Sequence, residues 1–373
     1  VTAAEILGVL VAIPTPSMVS NLPLLEWVRV ILEARGWRVE LLPYIDENDV
    51  AKANLIARPT RAEVEARIEL AFVCHTDTVP YAAAWTSALE LHECDGYLHG
   101  CGACDVKGAL ACFLAAVDAT GADAIDAGAA LILTADEEIG CKGMERLLAS
   151  RNLRIGAAIV SEPTSLRAGV AGKGYGLARV MVEGVEAHSA FPAEGLSAIA
   201  IASRMIDQLY SNPARHGGGI DTMFDPPRTT LNVGVVEGGS AKNIIAGKCS
   251  FLVEWRPIPA DPPEQMLREI ERLALEIEVL HHRSRVTVEP LRAEAGFAPA
   301  DAGRLRERLA VLVASDVIGI SFGSEASRIA RVADEVIVMG PGDMHTAHSD
   351  RECVPVRELE EWTAILEKLF RKN

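Results

Sequence analysis

Residues 68–77 read IELAFVCHTD, and residues 129–138 read AALILTADEE. Each starts as an apolar run with little polar alternation, the pattern of a strand buried on both faces of a sheet. Each ends in groups that can carry charge or bind a metal ion: His75 and Asp77 in the first, Asp136, Glu137 and Glu138 in the second. Two more runs behave alike. GAAIVS at 156–161 is followed by Glu162, and EVIVMGPG at 335–342 leads to His345 and His348. NLIA at 54–57 is a further strand. Helical spacing of apolar residues at 21–35, with helical segments at 107–119 and 141–150, separates these runs. Buried strands alternating with helices predict a doubly wound, mainly parallel-sheet α/β domain. In such sheets ligands bind beyond the carboxyl ends of the strands, where these polar groups fall.

From about residue 173 the texture changes. GYGLARVMVEGV (174–185), TTLNVGVVEGG (229–239) and GKCSFLVEWRP (247–257) alternate more, as strands with one face open to water do. Helical stretches at 194–210 and 262–278 lie among them. This predicts a smaller α+β domain, an antiparallel sheet with two helices, inserted at 173–292. Residues 1–172 and 293–373 then form the larger α/β domain, which holds the metal-capable strand ends, resumes with DVIGIS (316–321) and closes with a helix at 356–370.

Length and composition agree. A chain of 373 residues, 49% of them hydrophobic, exceeds what one core fills comfortably. A net charge of −16 with no basic face argues against nucleic acid as a partner. VTAAEILGVLVAIPTPS shows no charged-then-apolar leader, and no apolar run is long enough for a membrane span. The eight cysteines have no regular spacing and read as reduced thiols, so a cytoplasmic location is expected.

Carboxylates and imidazoles gathered at one sheet edge repel or desolvate one another unless a cation neutralises them. Asp105, in a glycine-bearing loop just before a helix, joins this set. Mixed imidazole and carboxylate donors suit zinc, cobalt or manganese rather than calcium.

The motifs HTDTVP (75–80), GACDVKG (102–108), DEEIGCKG (136–143), EPT (162–164), AHSA (187–190), FDPPRTTLNVGVVEGGSAKNII (224–245), EWRPIP (254–259) and GPGDMHTAHSDREC (340–353) run from end to end of the chain. In order and spacing they resemble the M20 family of metallopeptidases, and most of all its acetylornithine deacetylase branch. The resemblance implies two divalent metal ions, zinc first and cobalt as the alternative. Asp105 matches the carboxylate shared by both ions, His75 and Glu162 the other ligands of one, Glu138 and His348 those of the second. Asp77 matches the carboxylate that holds His75 in its metal-binding tautomer, and Glu137 the general base. His188 matches an oxyanion-stabilising histidine reaching the partner subunit's site in a homodimer formed through the inserted domain. Arg256, Asn243 and, more weakly, Lys173 match substrate-binding positions.

The implied reaction is hydrolysis of an N-acyl amino acid, foremost N2-acetyl-L-ornithine. The same chemistry also serves succinyl-diaminopimelate, acetylcitrulline or acyl-lysine deacylation and general aminoacylases. A non-catalytic binding protein with a retained metal site is a reading of another class. The intact set of acids and histidines opposes it.

Some positions depart from the family pattern. Cys74 stands where glycine is common, Cys101 and Cys104 precede Asp105, and Arg228 replaces a usual aromatic. The two cysteines read as small buried loop thiols. His281 and His282 read as solvated, and His92, His99 and His216 have no partner legible in the sequence.

Overall fold

The computed structural model describes residues 1–63, 66–212, 216–313 and 316–372. The apolar runs become strands. Ala129–Thr134, Ile68–His75, Ile155–Val160 and Ala333–Val338 lie side by side and parallel at the centre of an eight-stranded sheet. Flanking strands are antiparallel: Ala51–Pro59, which contains NLIA, opposes both Ala129–Thr134 and Trp37–Ile45. Trp37–Ile45 left no continuous apolar run because it is half exposed along its length. On the other side, Gly169–Gly172 pairs antiparallel to Ala333–Val338.

The chain divides into two compact units. One comprises Val1–Val170, Pro299–Ile318 and Ser324–Asn373; the other comprises Ala171–Ala298 and Gly319–Gly323. In the first, helices Ala3–Ala12, Leu22–Ala34, Gly108–Thr120 and Val356–Phe370 share one apolar core with the sheet. Gly108–Thr120 is apolar nearly all round, as a helix enclosed by its neighbours must be, and is buried from Gly108 to Val117. Its Phe113 stacks on Phe72 at 4.9 Å and meets Phe370 and Trp37 edge-on at 5.3 and 5.8 Å.

In the second unit a four-stranded antiparallel sheet runs in the order Thr230–Gly238, Lys248–Arg256, Tyr175–Glu183, Arg285–Glu294. The alternation legible in the sequence sends Val180, Val182, Phe251, Val253 and Trp255 inward. They pack against Ile201, Met205 and Leu209 of helix Ala198–Ser211 and Ile270, Leu273 and Ile277 of helix Pro263–Leu280. Gly176 lies opposite Trp255, and any Cβ there would overlap the indole ring. The fourth strand, Arg285–Glu294, is mostly half exposed and interrupted by Pro290, so it carried no clear strand signal. Among the described residues, no helix is long and apolar enough to cross a membrane.

Removing a ring that packs on three others leaves a cavity the rigid helix cannot close. Phe113→Ala should therefore cost about 3–5 kcal/mol of stability, measured by denaturant unfolding. A loss below about 1 kcal/mol would show that the helix is not held by this aromatic cluster.

Candidate metal centre

The carboxyl ends of the parallel strands supply the site. His75 is the last residue of its strand, and Glu162 follows Ile155–Val160 by two positions. Glu137 and Glu138 follow Ala129–Thr134 in a turn where Asp136 takes a left-handed φ of 59°. Gly143, next along, lies so close to the Ala135 carbonyl that a Cβ would overlap it. Only glycine lets helix Lys142–Ser150 begin there and return the chain against the strand end.

Asp105 is the hub. Its Oδ1 lies 3.0 Å from His75 Nε2, and its Oδ2 lies 3.1 Å from His348 Nε2. His348 Nε2 is also 3.1 Å from Glu138 Oε2. Two groups of three donors form around it: His75, Asp105 and Glu162, and Asp105, Glu138 and His348. Within each, the donor atoms lie within 4.8 Å of one another. His75, Asp105 and Glu162 are buried, while the His348 side chain is half exposed. His345, the rival imidazole in the same loop, is 93% exposed and bonded to Asp343, outside the cluster.

Electrostatics show what the cluster requires. Burial, reinforced by Glu138 and Glu325 and opposed by His75, pushes the Glu137 carboxyl up to about 8. Glu162 is driven well above its usual range by burial and by Asp105 and Glu137. Burial disfavours a charged His75, but the hydrogen bond and charge of Asp105 outweigh it and raise the imidazole. His348 is pushed up to about 10 by hydrogen bonds to Asp105 and Glu138. Carboxylates that take up protons and imidazoles that hold them both answer an excess of buried negative charge. Divalent cations relieve the same excess, and these nitrogen and oxygen donors suit them.

The surrounding bonds hold the donors in place, in one respect differently from expectation. His75 Nδ1 donates to the backbone carbonyl of Asp77 at 2.9 Å, whereas the Asp77 carboxylate is 3.7 Å from that nitrogen. The carbonyl, not the carboxylate, fixes the tautomer. The carboxylate instead accepts from Ser17 Oγ at 2.7 Å and from the backbone N–H groups of Glu137 and Glu138 at 3.0 and 3.3 Å. Asp77 thus fastens the turn that carries the two glutamates. Asp136 is anchored behind that turn by buried Lys52 and by the Tyr44 hydroxyl at 2.9 Å. The Cys141 thiol donates to Glu137 Oε1 at 3.2 Å.

Glu352 is a positioning residue the motifs contained without revealing. Its carboxylate accepts three backbone N–H bonds, from Gly102, Cys104 and Asp105, each at 3.0 Å. Burial foremost pushes it up to about 7, against the pull of those donors. Only an acid four positions before the closing helix Val356–Phe370, with no apolar periodicity of its own, hinted at it.

The remaining expected residues belong to the second unit. His188 is exposed at the end of a two-residue strand paired with Ile244–Ile245, and its Nδ1 accepts from the Ala190 N–H at 3.1 Å. That leaves Nε2 as the donor. The Asn243 backbone carbonyl accepts from Ser189. Arg256 stacks over Tyr175 at 4.5 Å and bonds Glu254 at 2.9 Å. Lys173 is buried, and its ammonium donates to the carbonyls of Pro226 and Arg228 at 2.8 Å each. Those bonds make it an organiser of the FDPPR loop rather than an open ligand group.

A doubly wound sheet with acids and imidazoles at its carboxyl edge is the build of a metal-dependent hydrolase. The chain belongs to Peptidase family M20/M25/M40, whose family model matches residues 71–372. It is 40% identical over 358 residues to an acetylornithine deacetylase of Myxococcus xanthus, covering 96% of this chain and 93% of that one. The fold matches a tripeptidase of Staphylococcus aureus with a TM-score of 0.76 at 21% identity, covering 99% and 96% of the two chains. It also matches the YXEP protein of Bacillus subtilis, described as a dinuclear metal binding peptidase, with a TM-score of 0.69 at 15% identity over 98% and 97%.

Glu352→Gln keeps one acceptor and turns the other oxygen into an amide donor facing a backbone N–H. It should weaken the Gly102–Asp105 loop by about 1–3 kcal/mol. Faster hydrogen exchange at the Gly102 and Cys104 amides is the expected readout. Unchanged protection there would mean that other contacts hold the loop.

Proposed function

We propose that this protein is a dinuclear-metal amidohydrolase that removes the acyl group of an N-acyl amino acid. We take N2-acetyl-L-ornithine as the substrate, giving L-ornithine and acetate in arginine biosynthesis. One observation carries the reading: a single buried carboxylate, Asp105, is shared by two donor groups, in a chain 40% identical to an acetylornithine deacetylase.

His75, Asp105 and Glu162 would hold one ion, and Asp105, Glu138 and His348 the other, with zinc favoured and cobalt the alternative. Such ions supply Lewis acidity toward the amide oxygen and toward water. Glu137 takes the proton of the attacking water and later delivers it to the leaving amine. Cys141 steadies its carboxylate, and Asp77 its backbone. His188, with Nε2 free to donate, stabilises the oxyanion. Arg256 presents a planar fork suited to the substrate α-carboxylate, and Asn243 adds a polar contact.

We further propose a cytoplasmic homodimer built through the inserted unit, with His188 serving the partner subunit's site. The strand Thr230–Gly238 supports this, because it ends its sheet with Val235 and Val236 exposed, an edge that monomers usually protect. Turnover on acetylornithine, acetylmethionine and succinyl-diaminopimelate tests the substrate. Chelation should abolish activity and added zinc or cobalt restore it. Preference for either rival substrate would overturn the acetylornithine assignment.

Two substitutions test the roles. Glu137→Gln should leave metal content intact and lower kcat by about 10²–10⁴, and near-normal turnover would remove Glu137 from the role of base. Asp105→Ala should lose more metal than His348→Ala, because a shared ligand serves two ions. Equal loss of one ion from both, by elemental analysis, would contradict the sharing.

A further inference from the structure

Two histidines outside the candidate centre, His92 and His99, lie in HECDGYLH. This segment folds as a hairpin, strand His92–Cys94 against strand Tyr97–His99. Its two-residue turn is Asp95-Gly96, with φ of 51° and 79°, the left-handed pair that suits the twist of a hairpin. So short a turn fixes the register and sets His92 opposite His99. A third strand, Cys353–Pro355, lies on the other side of Tyr97–His99 and sets Cys353 opposite His99.

Residues directly opposite one another in a sheet share a face. His92, His99 and Cys353 therefore form a row across three strands. Leu98 and Val354, one position along, are buried on the other face, so the row looks outward. His92 is exposed, and His99 and Cys353 are partly so. The two imidazole rings lie face to face, 5.1 Å apart and 16° from parallel. Cys353 is a free thiol.

We propose that His92, His99 and Cys353 form a separate binding site for a borderline-soft divalent ion such as Zn²⁺ or Co²⁺. Two imidazoles and a thiolate are the donors such ions prefer, and solvent can complete a tetrahedron. The candidate centre, by contrast, offers only nitrogen and oxygen. Opposed Cβ atoms about 4.5–5.5 Å apart let two side chains converge on one ion. Among the described residues, only the two groups of the candidate centre already hold three donors within 4.8 Å of one another. The row must therefore close on its ion. The exposed His92 ring turns readily, while His99 and Cys353, partly covered, must shift with it, the thiol leaving Thr346. The thiol proton is released to solvent as the thiolate binds, so binding strengthens as pH rises.

Cobalt titration of the full chain tests this, because thiolate-to-cobalt charge transfer gives a near-ultraviolet band that nitrogen and oxygen ligands do not. The band should appear in the wild-type protein, vanish in Cys353→Ser and persist in Cys101→Ser. In His92→Ala and His99→Ala, cobalt affinity read from the band should fall on the order of tenfold or more, at least the loss seen for groups one step removed from a metal. Circular dichroism checks that each variant folds. His92→Ala, on the exposed edge strand, decides the matter should Cys353→Ser not fold. Absence of the band in wild type, its survival in Cys353→Ser, or affinity unchanged in both histidine variants would overturn the site.

Discussion

The carboxylate of Asp105 divides its oxygens between two histidines that come from opposite ends of the chain, His75 at 3.0 Å and His348 at 3.1 Å. Much of the first unit serves that arrangement. Three of the four parallel strands bring His75, Glu137, Glu138 and Glu162 to one sheet edge. The enclosed helix Gly108–Thr120 anchors the loop before it, and Glu352 gathers three of that loop's N–H groups. Burial and mutual repulsion push the Glu137 and Glu162 carboxyls upward, while the two histidines hold Asp105 low. Cations that satisfy both oxygens of Asp105 resolve the conflict that the fold creates.

The sequence disclosed this arrangement in proportion to how far side-chain identity carried it. IELAFVC, AALILTA and GAAIVS are apolar because both faces of their strands are covered, and the polar residue after each run marks the sheet edge. Those signals placed His75, Glu137, Glu138 and Glu162 correctly at strand ends. Contacts made by the backbone left no such trace. The carbonyl of Asp77, not its carboxylate, holds His75, and a carbonyl looks the same at every position. Glu352 binds amides some 250 positions away, so no local pattern could announce it. Trp37–Ile45 and Arg285–Glu294 escaped for another reason, since half-exposed strands carrying prolines lack a sustained apolar signal.

The second unit follows different rules. Its sheet has one covered face, so alternation was legible and the packing of Trp255 on Gly176 fixes two strands against each other. Its polar residues are less exposed to inspection by sequence. Lys173 resembles a ligand group by position, yet its ammonium is bound to two carbonyls of the chain itself. Arg256 is held over Tyr175, with its guanidinium plane oriented by the ring and by Glu254. The carboxylate-binding role proposed for Arg256 would draw on that orientation.

Zinc-edge anomalous diffraction from crystals of the protein grown with zinc tests the central claim most directly. Two anomalous peaks within the acidic cluster are predicted, one contacting each oxygen of Asp105. The first should be flanked by His75 and Glu162, the second by Glu138 and His348. A single peak in the cluster, or two peaks of which only one touches Asp105, would contradict the account.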